Sequence, residues 1–270
     1  MPFVRADDLT VHYDLAGPVG APIVLFAHSL GTDMRVWDAQ VAAFTQTRRV
    51  LRYDMRGHGL TDDAAPQTYT IDRLAQDARA LLDALAIERV TFIGLSIGGM
   101  VAQRFAALYP QRLEALVLCA TASQIGPPSI WASRIAAVMR DGMSDIADSV
   151  LARWFTPATY AANPDLVRGF GNMLRRTPAA AYAACCAAIR DADLRADDAR
   201  ISIPTLVVSG AGDPVTPPAA GAALCDAIAG ARMTVLENAS HVLCAEQPAA
   251  FNECVLSFLG NPKHASATVG

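Results

Sequence analysis

The sequence predicts an α/β fold: a doubly wound, mostly parallel sheet interrupted by a helical insertion. Three observations lead there. Short apolar runs recur along the chain, amphipathic stretches of helical period separate them, and between residues 122 and 198 this alternation stops. At 270 residues the chain has room for one large α/β domain, or for a core that carries an insertion.

The strand candidates come in order. "LTVHYDL" (9–15) alternates as an edge strand does. "PIVLFAHS" (22–29), "RVLRYDM" (49–55), "VTFIGLS" (90–96), "ALVLCAT" (115–121), "TLVVSGAGD" (205–213) and "MTVLENAS" (233–240) follow. Most are near-continuous apolar runs, which suits parallel strands covered on both faces. Between them "IDRLAQDARALLDALAI" places Leu74, Ala78, Leu81, Leu82 and Leu85 on one stripe. "GMVAQRFAALYP" and "AFNECVLSFLG" show the same pattern, and Pro110 ends the first. The stretch 123–198 contains helical patterns, two of the three tryptophans and no strand pattern. It reads as a cap over the C-terminal edge of the sheet, where open α/β sheets bind ligands. The expected division is a core of 1–122 and 199–262, a cap of 123–198 and a disordered tail of 263–270.

Composition narrows the function. Hydrophobic residues make up 53% and charged residues 18%, enough to bury a full core. No apolar run reaches membrane-spanning length. The start, "MPFVRADDLT", has an acidic pair where a signal peptide needs an apolar stretch, so a cytoplasmic protein is expected. A net charge of −4 with dispersed basic residues argues against a nucleic-acid partner. The six cysteines (119, 185, 186, 225, 244 and 254) form no CxxC pair or zinc spacing and read as reduced, mostly buried thiols.

The stretch "GLSIG" (94–98) carries the first chemistry. It fits G-x-S-x-G with an apolar strand before and a helix after, the context in which that pattern is informative. A turn this tight forces the serine backbone into a sparsely populated conformation and needs glycine at 94 and 98. It would lift the Ser96 hydroxyl above the sheet at a helix N-terminus, where the Ile97 N–H can meet developing negative charge. The plainer reading is a Gly-Ser loop, which strand and helix in register make the poorer account.

A serine hydroxyl needs a base, and the base an orienting carboxylate. His241 follows the run 233–240 and precedes the last helix, and Asp213 ends the run 205–213 between Gly212 and Pro214. Both fall on loops at the C-terminal edge of the sheet. "AHSLGTD" (27–33) follows the run that begins at 22 and is placed to supply a second oxyanion donor, the backbone N–H of Leu30. In that loop His28 is expected to brace the backbone. His12 is expected to be solvated or locally bonded, His58 to sit in a turn stabilised by Arg56 and two glycines, and His264 to be exposed. No cluster has metal spacing and no dinucleotide motif follows the first strand, so neither a metal nor a cofactor is expected.

The order Ser96, Asp213, His241 and the elbow resemble those of α/β-hydrolases. Longer stretches are similar to the 3-oxoadipate enol-lactonases of bacterial aromatic degradation: "SLGTDMRVWDAQ" (29–40), "RVLRYDMRGHG" (49–59), "FIGLSIGGM" (92–100), "IGPPSIWASRI" (125–135), "RWFTP" (153–157) and "CCAAIRDADLR" (185–195). The likeness covers nearly the whole chain. Two positions depart from the family pattern: His28 stands where asparagine is common, and Ile97 where methionine is frequent.

The resemblance implies an α/β-hydrolase fold and a Ser96–His241–Asp213 triad that opens a small anionic lactone through an acyl-enzyme. A substrate carboxylate needs a local cation, for which the cap offers Arg134 and Arg153, with Trp131 and Trp154 as apolar walls. Trp131 and Arg134 are three residues apart and share a helix face. The alternatives are a general carboxylesterase, another lactonase or a cofactor-free perhydrolase on the same triad, and, from another class, a small-molecule receptor on the hydrolase scaffold. Oligomeric state is not readable.

Overall fold

In the computed structural model the described residues are 2–63 and 69–260. The expected tail, 263–270 with His264, lies outside them. Eight strands of the described chain form one sheet in the order β1-β2-β4-β3-β5-β6-β7-β8. These are β1 (Phe3–Ala6), β2 (Leu9–Ala16), β3 (Ile23–Ala27), β4 (Arg49–Tyr53), β5 (Val90–Leu95), β6 (Leu113–Cys119), β7 (Thr205–Gly210) and β8 (Arg232–Leu236). β1 and β2 pair antiparallel, as do β2 and β4, and every later pairing is parallel.

The apolar runs explain this arrangement. All six positions of β5 and all six of β7 are buried, because helices cover both faces. Helices α1 (Asp38–Phe44) and α12 (Pro248–Leu259) pack against each other, and α2 (Ile71–Ala84) packs on α3 (Ile97–Leu108). The stripe expected in α2 buries Leu74, Ala78, Leu81 and Leu82.

β2 is not an edge strand, contrary to its alternating pattern. β1, which the sequence reading missed, pairs along its outer side through Phe3–His12 and Val4–Val11. Of the two expectations for His12, solvated or locally bonded, the first fails with it. His12 is 5% exposed and its Nδ1 lies 2.7 Å from Asp54 Oδ2.

Between β6 and β7 the chain leaves the sheet. α4 (Pro128–Asp141), α5 (Met143–Trp154), α6 (Pro157–Ala162), α7 (Pro164–Arg176), α8 (Ala179–Asp191) and α9 (Arg195–Asp198) occupy this stretch, with α4 packed on α8 and α5 on α7. The two ends of the excursion meet where the Leu194 N–H donates to Ser123 O at 3.0 Å. The chain then completes the sheet, with α10 (Pro218–Ala227) after β7 and α11 (Leu243–Glu246) after β8. The parallel strands β3, β5, β7 and β8 thus bring their C-terminal ends to one edge of the sheet.

Candidate active site

Ser96 sits on the sharp corner between β5 and α3, with φ 57° and ψ −116°. An L-residue holds such a backbone only at a cost of about 1–3 kcal/mol, so the surroundings must enforce it. They do so from both sides. The Ser96 N–H donates to Cys119 O at 2.9 Å, and the Ser96 carbonyl accepts from Met100 N and from Thr121 Oγ1. The flanking glycines are required for space. A Cβ on Gly94 would lie 2.2 Å from Gly98 O. One on Gly98 would strike not Gly94 but the end of β3, 2.4 Å from Ala27 O, and so would push away the loop that follows.

That loop carries Leu30. The N–H groups of Leu30 and of Ile97, the first residue of α3, meet no acceptor among the described residues. Two unclaimed donors near a serine are what an oxyanion needs. His28 is fully buried beneath the loop. Its Nδ1–H donates to Ser29 O at 2.8 Å and its Nε2 accepts the Met55 N–H at 2.9 Å, the bracing expected of it. His58 is equally buried, with its ring centroid 5.2 Å from that of His28. The turn that carries it is anchored by Arg56, whose guanidinium forms a two-pronged pair with Asp77 on α2 at 2.8 and 2.7 Å.

Asp213 and His241 come together from the loops after β7 and β8. His241 Nδ1–H donates to Asp213 Oδ2 at 2.8 Å. The Asp213 carboxylate also accepts from Val215 N, Thr216 N and Thr216 Oγ1 at 2.7, 3.1 and 2.7 Å. Burial alone would raise the Asp213 carboxyl, but the charge of His241 and the hydrogen bonds from His241 and Thr216 outweigh it and hold the pKa below the ordinary value. An ionised carboxylate only accepts, so Nδ1 keeps its proton and Nε2 is left as the free base.

Ser96, His241 and Leu30 line one narrow cavity with Trp131, Arg134, Arg153 and Trp154 from the insertion. Its free volume is about 20 Å³, room for a single water. Of the site residues expected from sequence, Ile97 and Asp213 are absent from the wall: Ile97 offers its backbone and not its side chain, and Asp213 reaches the site through its bond to His241. The Arg134 guanidinium stacks 5.2 Å from the Trp131 ring, and Trp131 Nε1–H donates to Ile125 O at 2.6 Å. Arg153 Nε donates to Ser149 O at 3.1 Å, while burial and the nearby Arg134 charge lower its pKa. Neither guanidinium forms an ion pair with a carboxylate of the described chain. Two cations thus face one cavity without a counter-anion from the described residues.

Residues missed from the sequence complete the site. Tyr182 of α8 lines the cavity beside Arg134, and burial pushes its hydroxyl well above the ordinary range. Thr216 supports Asp213 and stands three residues after it, a spacing that an Asx-type turn could have suggested. Among the described residues no group of His, Cys, Asp or Glu is placed to share a metal ion, and no helix is long and apolar enough to cross a membrane.

Comparison with known proteins follows the same lines. Residues 22–248 match the family model described as alpha/beta hydrolase fold. The chain is 40% identical to 3-oxoadipate enol-lactonase 2 of Acinetobacter baylyi, over 93% of this chain and 94% of that protein. It is 36% identical to 3-oxoadipate enol-lactonase 1 of the same organism, over 93% of each. The crystal structure of the enol-lactonase from Burkholderia xenovorans LB400 superposes with a TM-score of 0.93 at 40% identity, covering 96% of this chain and all of that one.

Proposed function

The chain belongs to the α/β-hydrolase family, beside its 3-oxoadipate enol-lactonases, and we propose that it opens 3-oxoadipate enol-lactone to 3-oxoadipate in aromatic degradation. It is an ester-hydrolysing enzyme. The observation that carries the substrate is the pair Arg134 and Arg153, without a carboxylate partner among the described residues and lining the cavity that holds Ser96 and His241. A neutral ester would leave both cations unused.

Each step falls to a residue already placed. His241 Nε2 takes the Ser96 proton as Oγ attacks the lactone carbonyl. The oxyanion is held by the N–H groups of Leu30 and Ile97, and loss of one such donor costs roughly 10²–10³-fold in rate. Collapse breaks the ring C–O bond. The leaving group is an enol, better than a simple alkoxide, and it takes the proton from His241 and tautomerises to the ketone. A water deprotonated by His241 then attacks the acyl-serine, and a second collapse releases the diacid and restores Ser96. Throughout, Arg134 and Arg153 hold the substrate's free carboxylate, while Trp131 and Trp154 wall off water. In this reading residues 123–198 act as the cap, and the enzyme works in the cytoplasm.

The test is direct. Adding enzyme to the enol-lactone is expected to abolish its ultraviolet absorbance far faster than simple alkyl esters are cleaved. Ser96→Ala is expected to fold and to lose both activities. Equal rates on simple esters would replace this reading with a general esterase, and stoichiometric consumption without turnover would replace it with a receptor.

A further inference from the structure

Glu246, five residues beyond His241, has no part in the mechanism above, yet its carboxylate is saturated with donors. Its Oε1 accepts from Thr156 N, Thr156 Oγ1 and Thr159 Oγ1 at 2.7, 2.9 and 2.6 Å. Its Oε2 accepts the Ser240 N–H at 2.5 Å. The first three donors belong to the insertion, at the start of α6, and the fourth immediately precedes His241. One carboxylate therefore bridges the loop of the base and the insertion, across about 90 residues of sequence.

Two further bonds join the same pair of segments. Ser240 Oγ donates to Arg153 O at 2.9 Å, and the Val242 N–H donates to Trp154 O at 3.1 Å. The residues on both sides of His241 are thus tied to the backbone of Arg153 and Trp154, whose side chains line the cavity. Charge-assisted hydrogen bonds of the Glu246 kind are about twice as strong as neutral ones, so Glu246 is the strongest member of this set.

We propose that Glu246 is a positioning residue: it locks the His241 loop to the Arg153–Thr159 corner of the insertion, so that the base and the anion-binding wall keep one fixed spacing. A substrate gripped by its carboxylate at Arg153 then meets Nε2 in register. Misplacement of a base by about 1 Å can cost up to 10²-fold in rate. The proposal rests on the roles given above to His241 and Arg153.

The experiment compares kcat and KM of wild type, Glu246→Gln, Ser240→Ala and Thr159→Val on two substrates, 3-oxoadipate enol-lactone and neutral p-nitrophenyl acetate, with folded fraction measured by circular dichroism. Glu246→Gln keeps one acceptor oxygen for the insertion side but turns its second acceptor into a donor opposite the Ser240 N–H. It is expected to lower kcat by roughly tenfold or more on both substrates while KM for the lactone stays within about twofold. Ser240→Ala removes the hydroxyl's bonds to Arg153 O and Gly212 O, Thr159→Val those to Glu246 and Thr156, and both are expected to lower kcat in the same direction by less. They carry the test if Glu246→Gln does not fold. Unchanged kcat per folded molecule in all three variants, or a rise in lactone KM at constant kcat, overturns the proposal. Hydrolysis of p-nitrophenyl acetate without lactone turnover would overturn the substrate reading alone, and the variant comparison on the ester would still decide the role of Glu246.

Discussion

His28 and His58 hold each other's loops: His28 Nε2 accepts the Met55 N–H beside His58, and His58 Nε2 accepts the Gly31 N–H beside Leu30, at 3.1 Å. Each ring donates its Nδ1–H to a carbonyl of its own loop. The clasp works only with both rings neutral, since a protonated Nε2 would point a hydrogen at an N–H. Burial enforces this. It lowers the pKa of His28, and for His58 burial together with the neighbouring His28 lowers it to about 3.

His58→Ala is therefore expected to release Gly31 and shift the adjacent Leu30 N–H, lowering kcat/KM toward the 10²–10³-fold loss of a missing oxyanion donor. Steady-state kinetics on purified, folded variant checks this, and a wild-type rate would detach His58 from the oxyanion loop. The clasp also sets an acid limit. The unfolded chain binds a proton at His58 below about pH 6.5 and the native chain does not. Stability conferred by neutral His58 is thus complete above pH 6.5 and is lost progressively toward pH 3. Denaturation midpoints between pH 7 and 4 are expected to fall less steeply in His58→Ala than in wild type.

Thr216 offers a milder cut into the Asp213–His241 pair. Its hydroxyl donates to the same Oδ2 that accepts from His241. Thr216→Val keeps the shape and the backbone donors but removes that hydroxyl, so Asp213 becomes less well oriented and less strongly held as a carboxylate. The expected result is a kcat lower by about tenfold, a loss of one charge-assisted bond, with KM nearly unchanged. Asp213→Asn is expected to cost about 10⁴-fold through the wrong histidine tautomer. Comparable losses in the two variants would mean that Thr216 does more than orient the carboxylate.

Much of this was legible in sequence for a physical reason. The elbow, the Asp213 loop and the His241 loop each follow an apolar strand, and strand ends in a parallel sheet converge on one edge. Leu30 followed from the same rule applied to β3. The position of β2 was misread because alternation marks a half-exposed strand and does not say whether a short partner such as β1 covers its edge. The solvated alternative for His12 fell with it, and the bonded one stood. Glu246, Ser240 and Tyr182 left no local signal at all. Their roles lie in contacts with segments 48 to 90 residues away, and a Glu five residues past a histidine looks like any helix-surface residue.

Arg134 and Arg153 are expected to differ in effect although both line the cavity. The Arg134 guanidinium stacks on the Trp131 ring, whereas among the described residues that of Arg153 is tied through Nε to Ser149 O. Arg153→Met removes a cation and leaves the wall intact. KM for the anionic lactone is expected to rise on the order of tenfold to a hundredfold, the loss of one charged hydrogen-bond pair, with little change for a neutral ester. Arg134→Glu is expected to do the same more severely, by reversing the charge. Equal effects on charged and neutral substrates would remove both from carboxylate recognition.

The last expectation concerns the point where the insertion rejoins the core. Asp198 is fully buried, and neither of its oxygens has a donor at hydrogen-bond distance. Burial, reinforced by the charges of Asp197 and Asp193, raises its pKa from 3.8 to about 6, and the nearby Ser123 eases this only in part. Arg104 on α3 spends its guanidinium on Asp72 and Asp197. A carboxyl with a raised folded pKa binds its proton more tightly native than unfolded. Stability therefore falls as pH rises from about 4 to 6 and stays low above that, by about 2–3 kcal/mol at neutral pH. Asp198→Asn copies the neutral form without a proton to lose. Its melting temperature at pH 8 is expected to exceed that of wild type by several degrees, with the two converging near pH 4. A variant less stable than wild type at pH 8 would mean that the ionised Asp198 is satisfied in solution.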